Sequence, residues 1–139
     1  MFLQFTFVVF TFFDRVISET MANQNAKGFK RLINACIFSV AGFRATWKHE
    51  EAFRQEVILF LLTTPLAIWL GHSTVEKLLL IGSIVLVMLV ELLNSAVEAV
   101  VDRVGFEHHE LSGRAKDIGS AAVMMSLAWA TTTWALILI

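Results

Sequence analysis

The stretch VMLVELLNSAVEAVVDR, residues 87–103, decides how this chain is read. It begins as a run suited to lipid, then sets Glu91, Asn94, Ser95 and Glu98 into the same apolar helix. A charged group at the bilayer centre costs about 2.5–3.5 kcal/mol even on the mildest insertion scales. With ~100° between successive helical residues, Asn94 lies about −60° from Glu91, Ser95 about +40°, Glu98 about −20° and Asp102 about +20°. Five polar groups therefore share one narrow face, while Leu92, Val97, Val100 and Val101 turn elsewhere. Such a face has to meet another helix, a metal ion or a water-filled site.

The surroundings of the stretch fix its context. The chain has 139 residues, 57% of them hydrophobic, and a formal net charge of −1. That apolarity favours a single membrane domain over an ordinary soluble one. No basic tract interleaved with aromatics is present, so nothing favours nucleic acid. The one cysteine, Cys36, can form no internal disulfide and supplies no metal-ligand spacing.

Three apolar blocks read as transmembrane helices, spanning about 52–70, 78–101 and 118–139. The first contains the only proline, Pro65, and reaches back to Ala52 with Arg54, Gln55 and Glu56 at the interface. The third carries Ala122, Ser126 and Ala130 at four-residue spacing, either a close-packing stripe or general alanine richness. Ahead of them, residues 25–50 form an amphipathic segment in which Phe29, Leu32, Ile33, Cys36, Val40, Phe43 and Trp47 recur at helical spacing. Lys27, Lys30, Arg31, Asn34, Arg44 and Lys48 fall largely off that face, as in a basic helix lying in the headgroup layer, with Gly42 as its candidate bend. Residues 1–13 are apolar but too short to span, and they lack the marks of a signal peptide. Because Met21 opens a polar stretch that reads as a second start, residues 1–20 are expected to be an upstream extension or start-site artefact, with an extra functional membrane element as the alternative, and 21–139 the domain.

Cations set the orientation. Lys27, Lys30, Arg31, Arg44, Lys48 and Arg54 precede the first span, and Arg103, Arg114 and Lys116 lie between the second and third. Only Lys77 lies between the first and second, so the amino-terminal helix and the second link are expected in the cytoplasm. Counted from Leu78 on the outer side, Glu91 is ~20 Å in and Glu98 ~30 Å in. One carboxylate sits beneath the headgroups and the other at the water boundary, an arrangement suited to a reaction between a lipid headgroup and a cytosolic solute. The plainer alternative is a polar seam between helices.

The second link, DRVGFEHHELSGRAKD (102–117), offers Arg114 and Lys116 to a polyanion and backbone access at Gly113. It contains neither a GxxxxGK[ST] loop nor a kinase GxGxxG set, and His108-His109-Glu110 lacks zincin spacing. Its plainer reading is a solvated charged turn. Glu50, Glu51 and Glu56 fall where the amphipathic helix meets the first span. Magnesium takes hard oxygens, often one or two carboxylates plus substrate phosphates. Any one of the three glutamates could pair with Glu98 in that role.

Four motifs carry a family resemblance: GFKRLINA (28–35), EAFRQE (51–56), ELLNSAVEAVVDR (91–103) and HELSGRAKDIGSAAV (109–123). With them the chain resembles the small bacterial integral-membrane diacylglycerol kinases over about residues 21–139. The resemblance implies an all-α membrane protein, an amphipathic surface helix plus three transmembrane helices, assembling as a homotrimeric helical bundle with shared active sites in the bacterial inner membrane. It implies transfer of the γ-phosphoryl group of MgATP to the primary hydroxyl of 1,2-diacylglycerol, giving phosphatidic acid. On this sequence it makes Glu91 the general base, Glu50 and Glu98 the magnesium carboxylates, and Asn94 a supporting residue. The nucleotide falls to Arg31, Phe38, Glu50, Glu98, Glu107, His108, His109, Lys116 and Asp117. The lipid falls to Arg31, Ala35, Val40, Arg44, Trp47, Ala52, Glu56, Trp69, His72, Lys77, Glu91, Ser120 and Trp134. A polar face too large for three helices to shield adds a physical reason for a trimer. Phe38 departs from an expected tyrosine and His108 from an expected aromatic, and a few further residues are expected after Ile139. Undecaprenol kinase is the rival within the same chemistry. A non-enzymatic helix-bundle subunit is the rival outside it.

Overall fold

A computed structural model describes residues 27–105 and 109–139. The expectations for the 1–20 extension and for Glu107 and His108 lie outside those residues. The described elements are four α-helices: α1 (Phe29–His49), α2 (Glu51–Leu70), α3 (Thr74–Val104) and α4 (Glu110–Leu138). The last three are long and apolar enough to cross a membrane.

The chain divides into two compact units, Met1–Ala45 and Thr46–Ile139. In the first, Gly28 enters α1 with φ 63°, a left-handed conformation that favours glycine, and its carbonyl accepts from Arg31 N at 3.1 Å. The helix runs on through Gly42. Phe29, Leu32, Ile33, Val40, Phe43 and Trp47, the apolar face expected from periodicity, are exposed.

The second unit is built on α3. Helices α2 and α4 each run antiparallel to it: Glu56 faces Glu91 and Gly71 faces Lys77 on one side, while Lys116 meets Asp102 and Trp134 meets Leu80 on the other. The helices outrun the apolar blocks because their caps lie in polar sequence. Ser73 accepts from Glu76 N at 3.2 Å, and the Glu76 carboxylate reaches back to His72 N at 2.8 Å, a reciprocal cap that starts α3 four residues before Leu78. His109 Nδ1 accepts from Leu111 N at 3.2 Å and starts α4 well before Ile118. Arg114, Lys116 and Asp117 therefore stand on a helix, not in a loop.

Pro65 lies inside α2, where it cannot donate to the preceding turn. Thr63 and Thr64 hydroxyls donate to Leu59 O and Phe60 O, each at 2.7 Å, in that same region. Packing on α3 is centred on Ile84, Val87 and Ala130, flanked by Phe60 and Trp134. Lipid is as apolar as these side chains, so close van der Waals fit and interhelical hydrogen bonds hold the helices together. Ser126 and Ala130 of the expected small-residue stripe are buried, whereas Ala122 is exposed, so the stripe packs over its later half only.

Candidate active site

The polar face of α3 is buried at Glu91 and Ser95. Glu91 is 4% exposed and Ser95 8%. Helices α2 and α4 flank the face, but Asn94 and Glu98 stay half-buried and Asp102 is exposed, so its C-terminal half is left partly open. Ser95 contributes a different chemistry from its neighbours, because its hydroxyl donates to Glu91 O at 2.9 Å and is used by the helix backbone.

Around Glu91 the fold gathers three further carboxylates. Glu56, buried in the second turn of α2, and Glu50 and Glu98 all lie close enough to Glu91 for mutual repulsion. Glu50 occupies the cap position of α2 in an extended conformation, yet its side chain makes no cap hydrogen bond. Its carboxylate remains available. Glu56 Oε2 is buried with no hydrogen-bond partner. An uncompensated carboxylate of this kind is costly away from water, which makes this cluster the candidate functional site.

Asn94 links two helices. Its Nδ2 donates to Glu98 Oε1 at 3.1 Å, one turn further along α3. Its Oδ1 is buried without a hydrogen-bond partner and lies against Gly119 of α4. Beyond Glu98, Lys116 Nζ meets Asp102 Oδ1 at 2.6 Å in a half-exposed, solvent-screened pair.

The remaining expected residues spread along the fold. Asp117 and Ser120 are exposed in the first turns of α4, beside Lys116. His109 caps α4 through Nδ1, which leaves Nε2 for another partner. Trp47 and Ala52 flank Glu50, whereas Trp69, His72 and Lys77 stand at the opposite end of α2 and α3. Trp134 is also remote from Glu91, and its indole donates to Leu80 O at 3.2 Å, an interhelical clasp. Arg31, Ala35, Phe38, Val40 and Arg44 lie on α1 in the other unit, and all five are exposed.

Among the described residues no three His, Cys, Asp or Glu side chains converge as a metal cage. Magnesium commonly takes only one or two protein carboxylates and completes its shell with water and substrate phosphates. Glu98 uses one oxygen on Asn94, and Glu50 is not spent on capping, so the hard-oxygen donors present fit such an ion.

Residues 37–138 match the family model described as prokaryotic diacylglycerol kinase. The chain belongs to that family. It is 54% identical over 118 residues to the diacylglycerol kinase of Escherichia coli strain K12, covering 85% of this chain and 96% of that protein. The Haemophilus influenzae diacylglycerol kinase is 50% identical over 107 residues, covering 77% and 91% of the two chains. That of Pseudomonas aeruginosa is 50% identical over 112 residues, covering 81% and 91%. Together with its three apolar helices, this membership makes the chain a bacterial membrane protein. Within the family framework, the carboxylates around Glu91 form the candidate reaction centre.

Proposed function

We propose that this lipid kinase transfers the γ-phosphoryl group of MgATP to the primary hydroxyl of 1,2-diacylglycerol, giving phosphatidic acid and ADP. The observation that carries the reading is the burial of Glu91 among Glu50, Glu56 and Glu98 in a member of this family. Glu91 takes the hydroxyl proton as the lipid oxygen bonds to the γ-phosphorus. The bond from that phosphorus to the bridging oxygen breaks, and the electron pair leaves on ADP. The unpartnered Oε2 of Glu56 is an acceptor that orients the hydroxyl toward Glu91. General-base catalysis contributes about 10²–10⁴-fold, and the rest of phosphoryl transfer is positioning and charge neutralisation.

Glu50 and Glu98 would hold magnesium, which when bound neutralises phosphate charge. Asn94 orients Glu98 through its hydrogen bond. Lys116 exchanges Asp102 for a nucleotide phosphate, with His109 and Asp117 on the same helix end. Arg31 and Phe38 are assigned to the nucleotide, and Ala35, Val40 and Arg44 to the lipid, on family resemblance alone. The same resemblance supports the homotrimer, the bacterial inner membrane, and a reaction at its cytoplasmic face.

The test is transfer of label from MgATP to diacylglycerol and to undecaprenol in mixed micelles, wild type beside Glu91→Gln. Label in phosphatidic acid, lost by about 10²–10⁴-fold in the variant, is the expected result. Label chiefly in the polyprenol would keep the mechanism and change the substrate. A wild type that labels neither lipid would reopen the non-enzymatic bundle.

A further inference from the structure

We infer that Gly119 is a positioning residue of this site: its bare Cα on α4 is the seat for the Asn94 carboxamide, and through Asn94 it holds Glu98. A Cβ placed on Gly119 would collide with Asn94 Oδ1 and lie 3.2 Å from Cγ and 3.8 Å from Cβ of the same residue. Those three nearest atoms all belong to Asn94. Of the other glycines, Gly71 is also crowded, but by Lys77 and Ala67 at the turn before α3, whereas a Cβ on Gly82 or Gly113 would meet nothing within 4 Å.

Asn94 is confined from two directions. Its Oδ1 is buried against Gly119 without a hydrogen bond, and its Nδ2 is engaged by Glu98 Oε1 at 3.1 Å. A methyl group at position 119 forces the carboxamide to turn or move aside, and the broad terminal torsion of asparagine lets it do so. That movement draws Nδ2 away from Glu98 Oε1 and weakens their bond. Helix propensity opposes this requirement, because alanine is a better helix former than glycine. Gly119→Ala therefore improves the local helix while it damages the site, which separates positioning from general destabilisation.

The role of Glu98 rests on the proposed function, but the seating of Asn94 does not, and the two can be tested apart. In protein labelled with ¹⁵N-asparagine and held in magnesium-free micelles, the Asn94 side-chain amide pair is identified by its loss in Asn94→Ala. Gly119→Ala is expected to shift that pair while the other asparagine amides stay in place. In the kinase assay Gly119→Ala is expected to raise the KM for MgATP about tenfold, as a displaced supporting partner does. Asn94→Ala should do the same, and the double variant should be no worse than either single. Gly82→Ala should match wild type. An unshifted Asn94 amide, or single-variant losses that multiply in the double, would overturn the inference. Should Gly119→Ala fail to fold, a folded Asn94→Ala/Gly119→Ala would uphold the steric seat, and an unfolded one would refute it. If wild type labels no lipid at all, the proposed function fails, and the amide spectrum still decides whether Gly119 seats Asn94.

Discussion

Trp134→Phe tests how α3 and α4 are clasped, at the end of the bundle remote from Glu91. Trp134 Nε1 donates to Leu80 O at 3.2 Å, and Ser83 Oγ donates to the same oxygen at 2.8 Å. Leu80 is wholly buried, so its carbonyl has no water to turn to. Interhelical hydrogen bonds in membranes average about 0.6 kcal/mol and reach about 1.7. Phenylalanine removes this bond yet leaves Leu80 O satisfied by Ser83 and by the helix, so no orphaned acceptor adds to the cost. The missing pyrrole ring adds a partial cavity, on the order of 0.5–1 kcal/mol at a half-buried position. The expected loss is about 1–2 kcal/mol, read by reversible unfolding of the micellar protein under increasing SDS. Ser83→Ala alone should cost less than about 1 kcal/mol. Because the two donors share one acceptor, each compensates for the other's loss, and the double variant should cost more than the sum of the singles. Strict additivity, or a Trp134→Phe loss above about 3 kcal/mol, would refute the shared-acceptor reasoning.

Other perturbations probe the site and the turn. Glu98→Ala should raise the magnesium concentration for half-maximal activity at least about tenfold, and an unchanged titration would move the metal elsewhere. Glu56→Gln keeps the shape but weakens the acceptor, so kcat/KM for lipid should fall about 10–10²-fold with KM for MgATP unchanged; a normal lipid profile would remove Glu56 from the reaction centre. Gly71→Ala places a Cβ 2.9 Å from Ala67 O and 2.7 Å from Lys77 Cγ, so it should destabilise by about 1–3 kcal/mol in the same SDS titration. Gly82→Ala, with open space around it, should be neutral or gain up to about 1 kcal/mol.

The membrane-spanning helices were legible because length and apolarity are one-dimensional properties. The common face of Glu91, Asn94, Ser95, Glu98 and Asp102 was legible too, since a helix turns by a constant angle per residue. Helix ends were less so: polar turns before Leu78 and Ile118 are helical because Ser73 and His109 cap them, and hydropathy does not register a cap. Periodicity alone also placed the five polar groups on one face without showing which partner each one takes. Structure separates them, giving Ser95 to the backbone, Asp102 to Lys116 and Asn94 to Glu98.

What the sequence by itself determined is the list of helices and the chemistry carried on each face, because both follow from local periodicity. What only the tertiary structure decided is register between helices. Residues 56 and 91, or 94 and 119, have no sequence relation that pairs them. Their meeting depends on how far α2 and α4 slide along α3, and that is fixed by packing at distant points such as Trp134 on Leu80 and Lys77 against Gly71. Close packing admits few registers, and the one adopted brings four carboxylates to one place and leaves Gly119 opposite Asn94.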